Sequence, residues 1–338
     1  MKKIYNKIII LIILFVSVFV FAAETFYNEQ TLIDEASKAK TNKQQVSSNR
    51  NLLSYYMNQK NYEKAFPVCE KLLKLNLSKK QKYYLYMDAA VTCQNLGHVE
   101  DSIEYFKEAE YIYPKKIDPK IMLGKIYFEN DLYELAKNKF YEALQIDIKS
   151  VTASIWLGDI YRLQSNFKAA LEYYEYAQKL RDNLDISVYL HTAEAAKELG
   201  LTDKAINILE KIYKSDHRKD VSLMLSSLYK EQGRYKDAEE KLSYLINNTN
   251  VKDIELYANL AALCITSKEY ERAKKLLLDF KSSNKTKENR EVIDLLLADV
   301  YFSLSEKETA RQLLKEVDKY TDSDYIKLHT EHFLKIYK

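Results

Sequence analysis

Glycine and proline are scarce in this chain, with 5 and 3 in 338 residues. A β-sandwich or barrel with many tight turns needs far more of both, so that architecture is excluded. With so little glycine, no G-x-G-x-x-G or G-x-x-x-x-G-K-[ST] string occurs, and phosphate-cradling loops go with it. Three cysteines do not make a disulfide framework. Five scattered histidines leave no paired acid/base or nucleophile motif, and the expectation is a protein that is not an enzyme. The apolar fraction is 47% and the charged fraction 30%, the balance of a helix-rich globular chain rather than a disordered one.

One long apolar run exists, at the start. Lys2, Lys3 and Lys7 precede Ile8–Phe21, which only Ser17 interrupts, and Val20-Phe21-Ala22 places small residues for cleavage after Ala22. This is the layout of a secretory signal peptide over residues 1–22. The competing reading is an uncleaved membrane anchor, against which Ile8–Ala23 is 16 residues where roughly 20 span a bilayer. Either way the remainder is exported, to the periplasm, the cell envelope or beyond, with membrane contact only through an uncleaved N-terminus. The leader holds three of the 52 basic residues and no acid, so the rest of the chain carries 49 of each sign. A chain with no positive excess is a poor partner for nucleic acid.

The remainder is periodic. A small residue followed four places later by a large one recurs as Ala65/Cys69, Ser102/Phe106, Ala136/Phe140, Ala170/Tyr174, Ala205/Leu209, Ala238/Leu242, Ala273/Leu277 and Ala310/Leu314. The small residues are spaced 37, 34, 34, 35, 33, 35 and 37 apart. The third and fourth copies are the fullest: Leu123-Gly124-x2-Tyr127, Tyr133, Ala136-x3-Phe140 and Ala143, then Leu157-Gly158-x2-Tyr161, Phe167, Ala170-x3-Tyr174 and Ala177. This pattern resembles the tetratricopeptide repeat, two antiparallel helices in about 34 residues. The family's Trp position is not kept; Trp156 lies two places later.

The resemblance implies an all-α, TPR-type solenoid of stacked helix–turn–helix repeats in a right-handed superhelix. About eight repeats fit residues 46–324, at 46–79, 83–116, 117–150, 151–184, 186–218, 219–252, 254–287 and 291–324. Residues 23–45 form an N-terminal segment with one short helix from Glu29 to Ala39, and 325–338 a C-terminal capping helix with Ile326, Phe333, Leu334 and Tyr337 apolar. No single repeat can bury its own apolar face, so neighbours must stack. Gly124 and Gly158 mark close helix approach, whereas Gly97, Gly200 and Gly233 mark helix ends. Asp118-Pro119 reads as N-cap and first-turn proline, with Thr152, Ser187 and Asp220 at the equivalent place. Leu77–Lys82 and Lys281–Arg290 read as extended loops, and Pro67 should kink or delay its helix. Many of the 29 tyrosines take core positions of the repeat, including Tyr62, Tyr127, Tyr133, Tyr161, Tyr174, Tyr229, Tyr235, Tyr270 and Tyr301.

Candidate chemistry is thin. Cys69 and Cys93 fall in adjacent repeats and either pair or act as buried thiols; Cys264 reads as core. His329-x2-His332 and His191-x2-Glu194 offer two ligands each where zinc takes three or four, so neither reads as a metal site, and no cofactor is expected.

The family's first helices line a concave surface that receives peptides or helices. Carried onto this chain, the inward positions form three columns. The first is Arg50, Met87, Ile121, Ile155, Leu190, Leu223, Ala258 and Leu295, apolar in all but one place. The second includes Val91, Lys125, Asp159 and Glu194; the third includes Phe128 and Arg162. The Lys/Arg-with-Asn clamp that chaperone-binding members use for a terminal carboxylate is absent. An apolar stripe edged by mixed charge suits an amphipathic or apolar protein segment, and the competing reading is that the stripe is spent on packing between first helices. The expected function is therefore an exported scaffold or adaptor that binds proteins in the cell envelope, or else a structural subunit that uses its convex faces or ends.

Overall fold

The computed structural model describes residues 29–248, 253–283 and 286–336. The leader and Tyr337 lie outside the described residues. Among the described residues there are eighteen helices and no strand, and no helix is long and apolar enough to cross a membrane.

Helix α1 covers residues 29–38. Eight helix pairs follow. They are α2 (Asn42–Asn58) with α3 (Tyr62–Leu73), α4 (Lys79–Asn95) with α5 (Val99–Ile112), α6 (Asp118–Glu129) with α7 (Tyr133–Ile146), and α8 (Val151–Leu163) with α9 (Phe167–Leu180). Then come α10 (Ile186–Glu198) with α11 (Thr202–Ser215), α12 (Lys219–Glu231) with α13 (Tyr235–Asn248), α14 (Ile254–Thr266) with α15 (Tyr270–Ser283), and α16 (Lys287–Ser303) with α17 (Lys307–Tyr320). Helix α18 (Asp324–Ile336) closes the series.

The chain divides into two compact units. The first holds the described residues up to Gln164 with Tyr176–Asp182; the second holds Ser165–Glu175 and the described residues from Asn183 on. In the first unit, each helix from α2 to α8 packs on its neighbours in sequence, and α6 also touches α8. In the second, the same order runs from α10 to α18, with α14 also touching α16.

The packing follows from the small/large pairs. All sixteen residues of the eight pairs are 0% exposed. The small member lets two helices approach and the large one fills the space so made, as close packing requires. Ser102 is the polar member, and its hydroxyl donates to the Ala90 carbonyl at 2.8 Å, so nothing buried there is left unbonded. Gly124, Tyr127 and Gly158 are buried, whereas Tyr161 is half-buried with its hydroxyl 2.5 Å from that of Tyr141.

Several local expectations are corrected. Helix α6 begins at Asp118 with Ile117 at the cap, so Asp118 and Pro119 are its first two residues. The caps of α8 and α10 are Ser150, which accepts from the Ala153 amide, and Asp185, which accepts from the Ser187 amide. Arg218 stands at the cap of α12 with no side-chain cap bond. Thr152, Ser187 and Asp220 therefore lie two residues past their caps, inside their helices. Lys79–Lys82 and Lys287–Arg290 are helical rather than extended: Ser78 and Gln81 form a capping box that starts α4 early. Pro67 does not delay α3, which starts at Tyr62 and ends after 12 residues where the other second helices have 14.

The tyrosines also divide. Tyr127, Tyr174 and Tyr229 are core, but Tyr62, Tyr133 and Tyr270 are half-buried and Tyr235 is exposed. These four are each the first residue of a second helix, at the end of its hairpin, where few neighbours reach them.

At the ends, α1 docks by Leu32 and Ala36 onto Leu52, Leu53 and Tyr56. Its Glu29 carboxylate accepts from the Tyr56 hydroxyl at 2.9 Å and from Lys64 at 2.7 Å. Helix α18 seats Phe333 and Leu334 on Ala298, Phe302, Ala310 and Leu314. Its other side leaves Tyr325, Leu328 and Ile336 exposed.

Candidate protein-binding surface

The inward columns lie on the first helices of the pairs, and the structure grades them. Ile121 is buried at 8% exposure. Met87, Val91, Lys125, Phe128, Ile155, Asp159, Arg162, Leu190, Glu194 and Leu223 are half-buried. No apolar member of the first column is among the exposed large hydrophobics; Tyr111 and Ile148, outside the columns, are the most exposed of the first unit.

Part of this face is occupied by contacts between successive first helices. Arg50 of α2 pairs with Asp88 of α4 at 2.9 Å, and the Thr92 hydroxyl of α4 donates to Met57 Sδ of α2 at 3.3 Å. Gln94 of α4 donates to Glu129 of α6 at 3.4 Å. In the second unit Lys197 of α10 faces Glu231 of α12 at 3.9 Å. Trp156 of α8 closes the space beside α6. Its ring stacks on Phe140 at 5.9 Å and 4°, meets Phe128 edge-on at 4.9 Å, and lies 5.7 Å beneath the Lys125 ammonium. That cluster ties Lys125 and Phe128 into helix packing. No periodic rule placed Trp156 there, because it departs from the repeat pattern.

Among the described residues, apolar members of the first column come together in two open depressions. In the first unit a cavity of about 430 Å³ is lined by Met87, Ile121 and Met122 with Tyr83 and Tyr84, and edged by Lys116 and Asp118. In the second unit a cavity of about 450 Å³ is lined by Leu190, Leu223, Met224 and Leu228, and edged by Glu194, Lys197 and Glu198. The structure thus brings Met87 and Ile121 together in one and Leu190, Glu194 and Leu223 in the other. Val91, Ile155, Asp159 and Arg162 line neither. Met122 and Met224 belong to these depressions and lie outside the columns; each directly follows a first-column residue, so one further position along the helix would have found them.

The titratable groups here offer little chemistry. All three cysteines are free and buried. Burial pushes the Cys69 thiol up to about 12 and the Cys93 thiol up to about 11, and raises Cys264 as well. Thiols held protonated in this way are poor nucleophiles. Among the described residues, neither His329 with His332 nor His191 with Glu194 gains a third metal-ligating neighbour. One group of three does converge elsewhere, Cys93 with His98 and Asp101.

Models of the tetratricopeptide repeat match residues 48–79, 83–116 and 121–184. A tetratricopeptide repeat protein from Parabacteroides merdae, solved by crystallography, shares 18% identity at a TM-score of 0.50, covering 74% of this chain and 98% of its own. At that identity the likeness speaks for the fold. Two curated relatives match in sequence. "Uncharacterized protein ycf37" of Cyanophora paradoxa is 32% identical over 114 residues, which is 33% of this chain and 66% of its own. "Probable D-serine dehydratase" of Carboxydothermus hydrogenoformans is 28% identical over 182 residues, 46% of this chain and 39% of its own. The chain spans less than two thirds of either relative. The helix pairs and the matched repeats agree on an all-α fold of the tetratricopeptide-repeat type.

Proposed function

We propose that the chain is an exported, non-enzymatic scaffold that holds an apolar or amphipathic protein segment along its first helices. The observation that carries this reading is the cavity of about 450 Å³ with a leucine and methionine floor and a rim of both charge signs. A volume of that size takes a few side chains of a partner rather than a whole helix. Recognition would rest on apolar anchors in each depression, with the charged rim setting register. Export rests on the three lysines and the apolar run of the leader.

The test is affinity capture from an envelope extract with the wild-type chain, a Met87→Ser variant and a Leu190→Ser/Leu223→Ser variant. These half-buried positions are preferred to Ile121, whose burial would confound binding with folding. Loss of captured partners at unchanged helicity is the expected result. Undiminished capture by both variants refutes the groove and favours the second reading, a structural subunit. One observation speaks for that reading: the outer side of α18 carries exposed Tyr325, Leu328 and Ile336.

A further inference from the structure

The turn between α4 and α5 draws three chemically distinct ligands together. Cys93 lies in the last turn of α4, His98 is the N-cap residue of α5, and Asp101 is in its first turn. Between them Gly97 takes φ +78°, which folds the chain back on itself. The Cys93 sulfur, an imidazole nitrogen of His98 and a carboxylate oxygen of Asp101 all lie within 4.8 Å of one another. Cys93 is fully buried, whereas His98 and Asp101 are exposed. The sulfur therefore lies beneath, with the two other groups at the surface and open to solvent. Among the described residues, none of the three side chains makes a hydrogen bond or an ion pair with another group. Even the N-cap imidazole makes no cap bond; its ring only meets Phe66 edge-on at 6.1 Å.

We infer that Cys93, His98 and Asp101 form a binding site for a zinc ion. The donor set is one thiolate sulfur, one imidazole nitrogen and one carboxylate oxygen, each an ordinary zinc ligand. Tetrahedral zinc with bonds of about 2.0 to 2.3 Å holds its ligand atoms roughly 3.3 to 3.7 Å apart. Rotamer changes of the two exposed side chains close the remaining gap. Three protein ligands leave the fourth position to water.

The electrostatics of the turn are compatible with a cation. The α5 N-terminus disfavours positive charge, but the α4 C-terminus beside it has the opposite polarity. Glu100 and Asp101 add two carboxylates in the first turn of α5. Burial and then the negative charges of Asp101 and Glu70 raise the Cys93 thiol, and of these only the carboxylate charges favour a cation at the same place. Metal binding would replace the Cys93 thiol proton. A bound ion would clip the end of α4 to the start of α5 and fix this hairpin.

The test is a Co²⁺ titration of the purified, untagged full-length chain, with Zn²⁺ as competitor. The expected result is a thiolate-to-cobalt charge-transfer band that saturates at one ion per chain and disappears on adding Zn²⁺. The band should vanish in Cys93→Ser and persist in Cys69→Ser and Cys264→Ser. His98→Gln and Asp101→Asn change only exposed groups, so the fold is retained, and each should weaken binding about tenfold or more. Absence of the band in the wild-type chain overturns the inference. So does a band that survives Cys93→Ser, or an affinity unchanged in either His98→Gln or Asp101→Asn.

Discussion

Gly124 of α6 lies directly over the Phe140 ring of α7: a Cβ at position 124 would stand 2.6 Å from Cε1 and 2.7 Å from Cζ. The ring is fully buried and stacked on Trp156, so it has no free direction in which to yield. Gly124→Ala gains about 0.5 to 1 kcal/mol of helix propensity but overpacks the contact by about 1 to 3 kcal/mol. The net expectation is a destabilised protein, read as a lower urea midpoint. An unchanged or higher midpoint would show that the ring moves aside at no cost.

The hairpin turns make a separate prediction. Every pair has one residue at positive φ between its helices. It is glycine at 97, 200 and 233, but Lys60, Asp131, Ser165, Lys268 and Ser305 elsewhere. Left-handed backbone costs a side chain roughly 1 to 2 kcal/mol, part of which glycine returns as unfolded-state entropy. Lys60→Gly, Lys268→Gly and Ser305→Gly should each stabilise by about 0.5 to 1 kcal/mol in thermal unfolding. Asp131→Gly should gain less, because aspartate tolerates this backbone and its carboxylate accepts from the Tyr133 hydroxyl at 2.6 Å. Equal gains at Asp131 and Lys60 would refute that distinction.

Glu110 is the centre of a half-buried ion network. It receives Lys120, whose side chain is only 7% exposed, and Lys139 at 3.0 Å; Lys139 also reaches Glu142 at 3.0 Å. Burial alone would raise the Glu110 carboxyl, but the two lysines outweigh it and hold it below the ordinary value of 4.5. The unfolded chain then binds the proton more readily than the folded one. The stabilisation is complete above 4.5 and is lost as pH falls through the lower folded value. Glu110→Gln should cost about 1 to 3 kcal/mol at neutral pH, since Lys120 then keeps only the Glu142 carboxylate at 3.5 Å. It should also flatten the acid limb of the stability–pH curve. An acid limb as steep as that of the wild type would place the titration elsewhere.

The same network has an alkaline limb of opposite sign. Burial lowers Lys139, and the hydrogen bonds of Glu110 and Glu142 more than reverse it, so its value is raised above 10.5. That stabilisation is present below 10.5 and is lost as pH rises through the folded value. Urea unfolding at stepped alkaline pH should show the loss in the wild type and less of it in Lys139→Met.

Thiol accessibility gives a direct check of the core. Cys69, Cys93 and Cys264 are buried and held protonated. A thiol reagent should find no reactive group in the native chain and all of Cys69, Cys93 and Cys264 after unfolding without reductant. If Cys264 alone reacts in the unfolded chain, and the other two appear only after reduction, then Cys69 and Cys93 are paired and the free thiols described above are refuted.

The sequence by itself determined the helix pairs and the residues between them. The small/large pairs at spacings of 33 to 37 are readable because buried close packing admits few side chains, and each of the sixteen is fully enclosed. Gly97, Gly200 and Gly233 are legible as helix ends because left-handed backbone favours glycine. The five turns without glycine are not, since Lys60 and Lys268 carry no mark of their conformation. Helix starts read from sequence fall one or two residues late because Thr152, Ser187 and Asp220 are as good caps in composition as Ser150 and Asp185; only the amide each oxygen reaches decides between them. Tertiary structure alone decided the surface. Which first-helix residues stay open depends on side chains of the next repeat, such as Trp156 filling the space beside Lys125 and Phe128. It also decided the meeting of Cys93, His98 and Asp101, because a turn at Gly97 brings together side chains that a straight helix would hold apart.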